Sequence, residues 1–448
     1  MRHFRYSLVM YDEQKLCKYG IQVPDILIPS KKIDLSAWSV IACDQYTQNS
    51  EYWNKVAEKA KDKPSTLHII LPEIYLESLD RQERLSKIRS TMEEYLANGV
   101  FDKPFHGMIY LERKTAYGRT RKGLITAIDL DAYEWKPYTK APIRATEATI
   151  ESRIPPRMEI RRSASIESPH IMLLVNDPAK ALVEQTGERA KKETAAKLYD
   201  TDLMLDSGHS TAWAVQSESL YSHIEKSLAA IAEHNTEEDN SVFMFAVGDG
   251  NHSLATAKAV WEEYKKAHPS EKNHPLRYAL VEIVNIYDTG LTFEPIHRVL
   301  FSSLPEMLIK YVSAELSGKV YELKNEDDLL AEVQESQEVI GFVYQDADGK
   351  TKYVMIDAIC PDLAVSYFQP ILDTFMSIFG ETDIDFIHGS DEIFRLGKQE
   401  NTIGILLPQI SKDTFFTTLS SCGVLPRKSF SMGEASEKRF YLECRKIK

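Results

Sequence analysis

Asp249, Gly250, Asn251, His252 and Ser253 follow Gly248 directly and bring a carboxylate, an amide, an imidazole and a hydroxyl into five consecutive positions. Residues 242–247 before them are all apolar, and Leu254, Ala257, Trp261 and Tyr264 after them recur at helical spacing. The pattern predicts a buried strand, a tight turn and an amphipathic helix. Gly248 and Gly250 allow backbone angles that other residues resist, and Asn251 reads as the helix N-cap. First-turn N–H groups would then face outward beside Asp249 and His252, a corner suited to an anion at the strand end where open α/β sheets bind ligands. The plainer reading is turn chemistry alone, because Asp, Asn and Gly fill many turns that bind nothing.

A helix N-terminus contributes roughly 0.3–1 kcal/mol to anion binding, up to about 2 when partly buried. Micromolar affinity needs about 8 kcal/mol. Charged donors at about 1.5–3 kcal/mol each must supply the difference. Three clusters offer them. Residues 143–162 carry Arg144, Arg153, Arg157, Arg161 and Arg162, with Glu147 or Glu151 as general base and Thr146 and Thr149 as oxyanion donors. That stretch lacks an apolar face and reads as a long loop, whose arginines could equally pair with its own glutamates at the surface. The others are His297-Arg298 after a proline and Arg427-Lys428-Ser429 near the C-terminus; the alternatives there are a structural pair and an exposed loop. Asp249 with phosphate oxygens is the candidate Mg²⁺ ligand. His170 reads as a core histidine on a buried strand.

Other chemistries lack their patterns. The chain has no Gly-x-Ser-x-Gly elbow, P-loop, Gly-x-Gly-x-x-Gly or His-Glu-x-x-His. Its five cysteines, at 17, 43, 360, 422 and 444, have no zinc-ligand spacing. Nothing points to Zn, haem, flavin or NAD. Fifty-four basic against 67 acidic side chains leave a net charge of −13, which opposes nucleic-acid or anionic-membrane binding. The N-terminus lacks the apolar core of a signal peptide, and no run reaches bilayer length, so a cytoplasmic protein is expected.

The elements that position these residues read as mixed α/β. At 448 residues the chain exceeds one ordinary core. Residues 1–142 form an N-terminal α/β region with a helix over 80–98 and a hairpin over 106–133. Residues 143–300 form a central region with the arginine-rich segment, a helix carrying Leu220, Ile224, Leu228 and Ile231, and the corner. Residues 301–448 form a C-terminal α/β module that ends in a strand over 439–444.

Several segments together carry a resemblance: Cys43-Asp-Gln-Tyr-Thr-Gln, Ile143-Arg-Ala-Thr-Glu-Ala-Thr-Ile, Arg153-Ile-Pro-Pro-Arg, Ser168-Pro-His-Ile-Met, Gly248-Asp-Gly-Asn-His-Ser, Phe293-Glu-Pro-Ile-His-Arg and Leu425-Pro-Arg-Lys-Ser-Phe-Ser-Met-Gly-Glu. They resemble the DUF1015 family of uncharacterised bacterial and archaeal proteins. Many members have Asp-Gly-His-His-Arg at the corner. That variant is similar to the corner of the ParB-like superfamily, which includes sulfiredoxin and free-serine kinases and holds nucleotide phosphates there. Ser253 replaces the arginine here and removes a bidentate phosphate ligand.

The expectation is a phosphate-bearing ligand, a nucleotide such as ATP or ADP with Mg²⁺, at Gly248, Gly250, Asn251 and Ser253. Arg298, Arg427 and Lys428 would neutralise its charge, Asp249 would hold metal, and Glu147 or His252 would take a proton from a small hydroxylated acceptor such as free serine. Phosphoserine hydrolysis and a non-catalytic ligand sensor or interaction module stay open, as does a homodimer.

Overall fold

The computed structural model describes residues 11–168, 171–302, 304–358, 363–380 and 383–448; His170 and Cys360 lie outside them. The chain is a mixed α/β protein, as the sequence predicts, with thirteen α-helices among the described residues. None of these is long and apolar enough to cross a membrane. Two compact units emerge. One comprises the described residues among 1–145, 149–291 and 434–448; the other comprises those among 146–148 and 292–433.

The first unit is built on a ten-stranded mixed sheet. Its order is Lys197–Asp202, Gly208–Val215, Met108–Thr115, Thr120–Asp129, Tyr278–Asn285, Met172–Val175, Phe245–Asp249, Ile143–Ala145 and Tyr133–Glu134, with Ile21–Gln22 also paired to Thr120–Asp129. The hairpin Met108–Thr115 to Thr120–Asp129 turns through Gly118, whose φ of 78° is a region that glycine enters without strain. Phe245–Asp249 is an interior strand, antiparallel to Met172–Val175 and parallel to Ile143–Ala145. Helices pack as their periodicity requires. Arg81–Ala97 buries Leu85, Ile88, Met92 and Tyr95, and Glu218–His234 buries Leu220, Ile224, Leu228 and Ile231.

Two expectations need correction. Residues 154–163 are not loop but the helix Ile154–Ser163, with Pro155 and Pro156 in its first turn, where a missing N–H breaks no helical bond. The strand expected over 439–444 divides into Phe440–Tyr441, paired with Val40–Ile41, and Arg445–Lys446, paired with Ile166–Glu167. Between them Cys444 exchanges backbone hydrogen bonds with Leu27, so this segment meets three partners in eight residues and follows no single ladder.

The second unit holds a seven-stranded antiparallel sheet ordered Lys319–Leu323, Thr351–Asp357, Val339–Gln345, Ile403–Leu406, Phe293–Leu300 and Ile384–His388; Phe430–Met432 pairs with the start of Phe293–Leu300. Phe293–Leu300 therefore touches three strands. That explains its near-continuous burial and fixes His297 and Arg298 inside the unit. Residues 146–148 join this unit because Leu425 N–H donates to the Thr146 carbonyl at 2.7 Å and Glu147 bridges to Leu425.

Candidate functional site

The corner begins where Phe245–Asp249 ends. Its pairing with Met172–Val175 shifts register beside Asp249, a bulge of the kind that re-aims side chains at strand ends. Gly250 then adopts φ 84° and ψ 28° and is itself the N-cap of the helix Asn251–Ala267. Asn251 is thus the first helical residue rather than the cap, because the left-handed glycine turns the chain one residue earlier. Gly250 itself has no side chain with which to cap the helix. The first-turn N–H groups have no carbonyl four residues back within the helix. Asp249 is fixed from the other side: Oδ1 accepts the Gly250 N–H at 3.1 Å. His252 Nε2 accepts the Ile150 N–H at 3.3 Å, which ties the turn after residue 149 to the helix start and engages that nitrogen's lone pair. Thr149, on the same turn, has a buried Oγ1 without a hydrogen-bond partner.

A residue that the sequence reading missed completes this wall. Lys438 Nζ lies 3.8 Å from Asp249 Oδ2, and the two side chains are 11% and 18% exposed. Its position follows from the hairpin. Arg113 donates to the carbonyls of Ser436, Glu437 and Lys438, and Arg121 donates to that of Glu437 at 2.6 Å. The two buried guanidiniums stand on opposite positions of the hairpin and grip the returning C-terminal segment. A basic pair at 438–439 was the only signal in the sequence, and nothing local linked it to Asp249.

Four of the five arginines of 143–162 are paired, but not with glutamates of their own segment. Arg144 makes a two-pronged contact with Glu237 at 2.8 and 2.9 Å, donates to the Ala141 carbonyl and lies over Phe243. Burial opposes ionisation of Glu237, yet hydrogen bonds from Arg144, Ser241 and Lys140 hold its pKa down at about 2. Arg157 pairs with Glu73, Arg161 with Glu167 and Arg162 with Glu263. Arg153 is exposed, and its carbonyl accepts from Arg157.

Lys438 sets a positive charge beside Asp249 Oδ2, which opposes a cation on that oxygen. Among the described residues no three His, Cys, Asp or Glu side chains form a metal-binding group.

In the second unit, His297 is 5% exposed and its Nδ1 accepts the Leu407 N–H at 3.1 Å. Burial foremost, then Arg298 and His388, push its pKa down to about 4. It is neutral at physiological pH and supplies no cation to a phosphate. Arg298 is fully buried, with Nε on Gln369 Oε1 at 2.9 Å, Nη1 on the Ile296 carbonyl and the guanidinium over Phe386. Burial lowers its pKa to about 10 against the opposing charges of Asp373 and Glu147. Arg427 and Lys428 are exposed, whereas Ser429 is buried and donates to the Pro426 carbonyl at 2.6 Å.

His297 gives a signed pH dependence. Its folded pKa lies below the unfolded value of 6.5, so the unfolded chain binds more protons between them. Stability from this group is complete above about pH 6.5 and is lost as pH falls towards 4, by about 3 kcal/mol in all. Urea unfolding at pH 7, 5.5 and 4.5 will show the decline, and His297→Gln will flatten it. An identical slope in the variant would assign the decline to other groups.

Together these features define a mixed α/β protein with a glycine-capped strand-to-helix corner flanked by one carboxylate and one ammonium. The family model described as "Protein of unknown function (DUF1015)" matches residues 27–373, and the chain belongs to that family. No curated protein matches it in sequence. Among solved structures it is similar to a point variant of free serine kinase in complex with AMP, at 11% identity and TM-score 0.38 over 72% of this chain and 92% of that one. It is similar to SbnI with a C-terminal truncation from Staphylococcus aureus, at 10% identity and TM-score 0.36 over 72% and 87%. A conserved hypothetical protein from Pyrococcus furiosus gives 10% and 0.32 over 71% and 90%. At these TM-scores the likeness carries no inference.

Proposed function

We propose that the corner Gly248 to Ser253 binds nucleotide phosphates and that the protein transfers a phosphoryl group between that nucleotide and a small hydroxylated metabolite, with free serine as the first acceptor to test. The observation that carries this reading is the glycine-capped start of a 17-residue helix at the end of an interior strand, with Asp249 and Lys438 held beside it. The first-turn amides face the phosphate, Lys438 adds a charged donor, and Thr149 Oγ1 adds a hydroxyl without another partner. In the transfer, the acceptor oxygen forms a bond to the terminal phosphorus as the bridging P–O bond breaks. Asp249 takes the hydroxyl proton, and the shortened nucleotide leaves with the electron pair.

The pairing of Asp249 with Lys438 favours a second reading, a nucleotide sensor without turnover, because binding needs donors and not a base. One assay separates the two. Purified protein with ATP or ADP, Mg²⁺ and serine, followed by ³¹P NMR, should form phosphoserine, and Asp249→Ala should lower the rate at least a hundredfold. Nucleotide binding without phosphoserine supports the sensor; an unchanged Asp249→Ala rate removes the corner from the chemistry.

A further inference from the structure

Behind the corner the first unit contains a cavity of about 160 Å³. Leu71, Met92, Ile160, Ile171 and Leu280 give it apolar walls. Ser253 and Thr256 line it from the helix Asn251–Ala267, so Ser253 belongs both to the phosphate corner and to the cavity. Polar groups line the rest, among them the ion pairs Arg157–Glu73 and Arg161–Glu167. Thr256 Oγ1 is committed to the His252 carbonyl at 2.7 Å. Arg161 is held through Nη2 by Glu167 at 2.6 Å, whereas its Nε is buried and without a hydrogen-bond partner.

We infer that this cavity seats the nucleobase of the ligand whose phosphates lie at the corner; the inference rests on the nucleotide reading above. Size comes first. An apolar cavity of about 150 Å³ admits one benzene-sized ring, so this space suits a flat ring system and is too small for a folded acyl chain. Its chemistry agrees. A nucleobase has two apolar faces and a polar edge, and the lining offers both aliphatic walls and polar side chains for that edge. Arg157 and Arg161 put guanidinium groups in the lining, where they can serve a ring nitrogen. Continuity supplies the third argument: a phosphate against the first helical turn places the rest of its molecule beside Ser253, at the cavity wall.

Calorimetric titration of the full chain with ATP, adenosine and tripolyphosphate in Mg²⁺ tests this. The wild type should bind ATP at least tenfold more tightly than tripolyphosphate. Ala164→Leu puts a branched side chain into the cavity wall. It should weaken ATP tenfold or more and leave tripolyphosphate within twofold. Equal affinities for ATP and tripolyphosphate in the wild type would overturn the nucleobase assignment and leave the phosphate corner standing. Binding of neither would overturn both. Should a thermal melt show Ala164→Leu unfolded, the three-ligand comparison on the wild type decides alone.

Discussion

Glu282→Ala lowers the stability of the first unit by about 3–5 kcal/mol, the cost of breaking a buried ion pair from one side. Glu282 is fully buried on the strand Tyr278–Asn285. Its Oε1 accepts from Arg121 Nε at 3.3 Å and its Oε2 from Arg439 Nη1 at 2.8 Å. Burial opposes its charge, but Arg121, Arg439 and Arg113 hold its pKa below the ordinary value. Arg113 faces Arg121 across the hairpin, and burial beside Arg121 and Arg439 drives its own pKa well down. Glu443 and Glu437 compensate part of this charge. Removing Glu282 leaves buried guanidiniums without their central counter-charge.

The fold makes room for that carboxylate. A Cβ at Gly123 would meet Glu282 Oε1 at 2.5 Å, so the glycine in an otherwise regular strand is there for the close approach. The consequence reaches the site, because Arg113 and Arg121 also hold the carbonyls of residues 436–438 and so set Lys438 beside Asp249. Urea denaturation of Glu282→Ala should show the loss, with Glu282→Gln falling between it and the wild type. A change below 1 kcal/mol would mean the arginines are satisfied without it.

Gly250→Val removes ligand binding with a smaller effect on stability. A β-branched residue at φ 84° carries strain of about 1–3 kcal/mol. The chain relieves it by rotating the turn, and the first-turn amides lose their common direction. Two charge-assisted hydrogen bonds weakened by about 1.5 kcal/mol each amount to roughly a hundredfold in affinity. Gly250→Asn, a residue that tolerates this conformation better, should retain most of the binding.

The strand and helix that frame the corner were legible because their apolar spacing is local, and so were the hairpin through Gly118 and the helices Arg81–Ala97 and Glu218–His234. The cap was misplaced by one residue, since a left-handed Gly250 and a capping Asn251 present the same letters. The helix Ile154–Ser163 escaped because its residues pair with distant Glu73, Glu167 and Glu263 instead of forming an apolar face. Lys438 escaped for the same reason: its place depends on arginines of a hairpin more than 300 positions earlier. His297 looked like a phosphate ligand beside Arg298, and only its burial on a strand with three neighbours shows it neutral.

The central claim is that the glycine-capped corner holds phosphate. Calorimetric titration of ADP in Mg²⁺ into the wild type and Gly250→Val tests it most directly. The account predicts saturable binding in the wild type and at least a hundredfold loss in a folded Gly250→Val; equal affinity in the two proteins would contradict it.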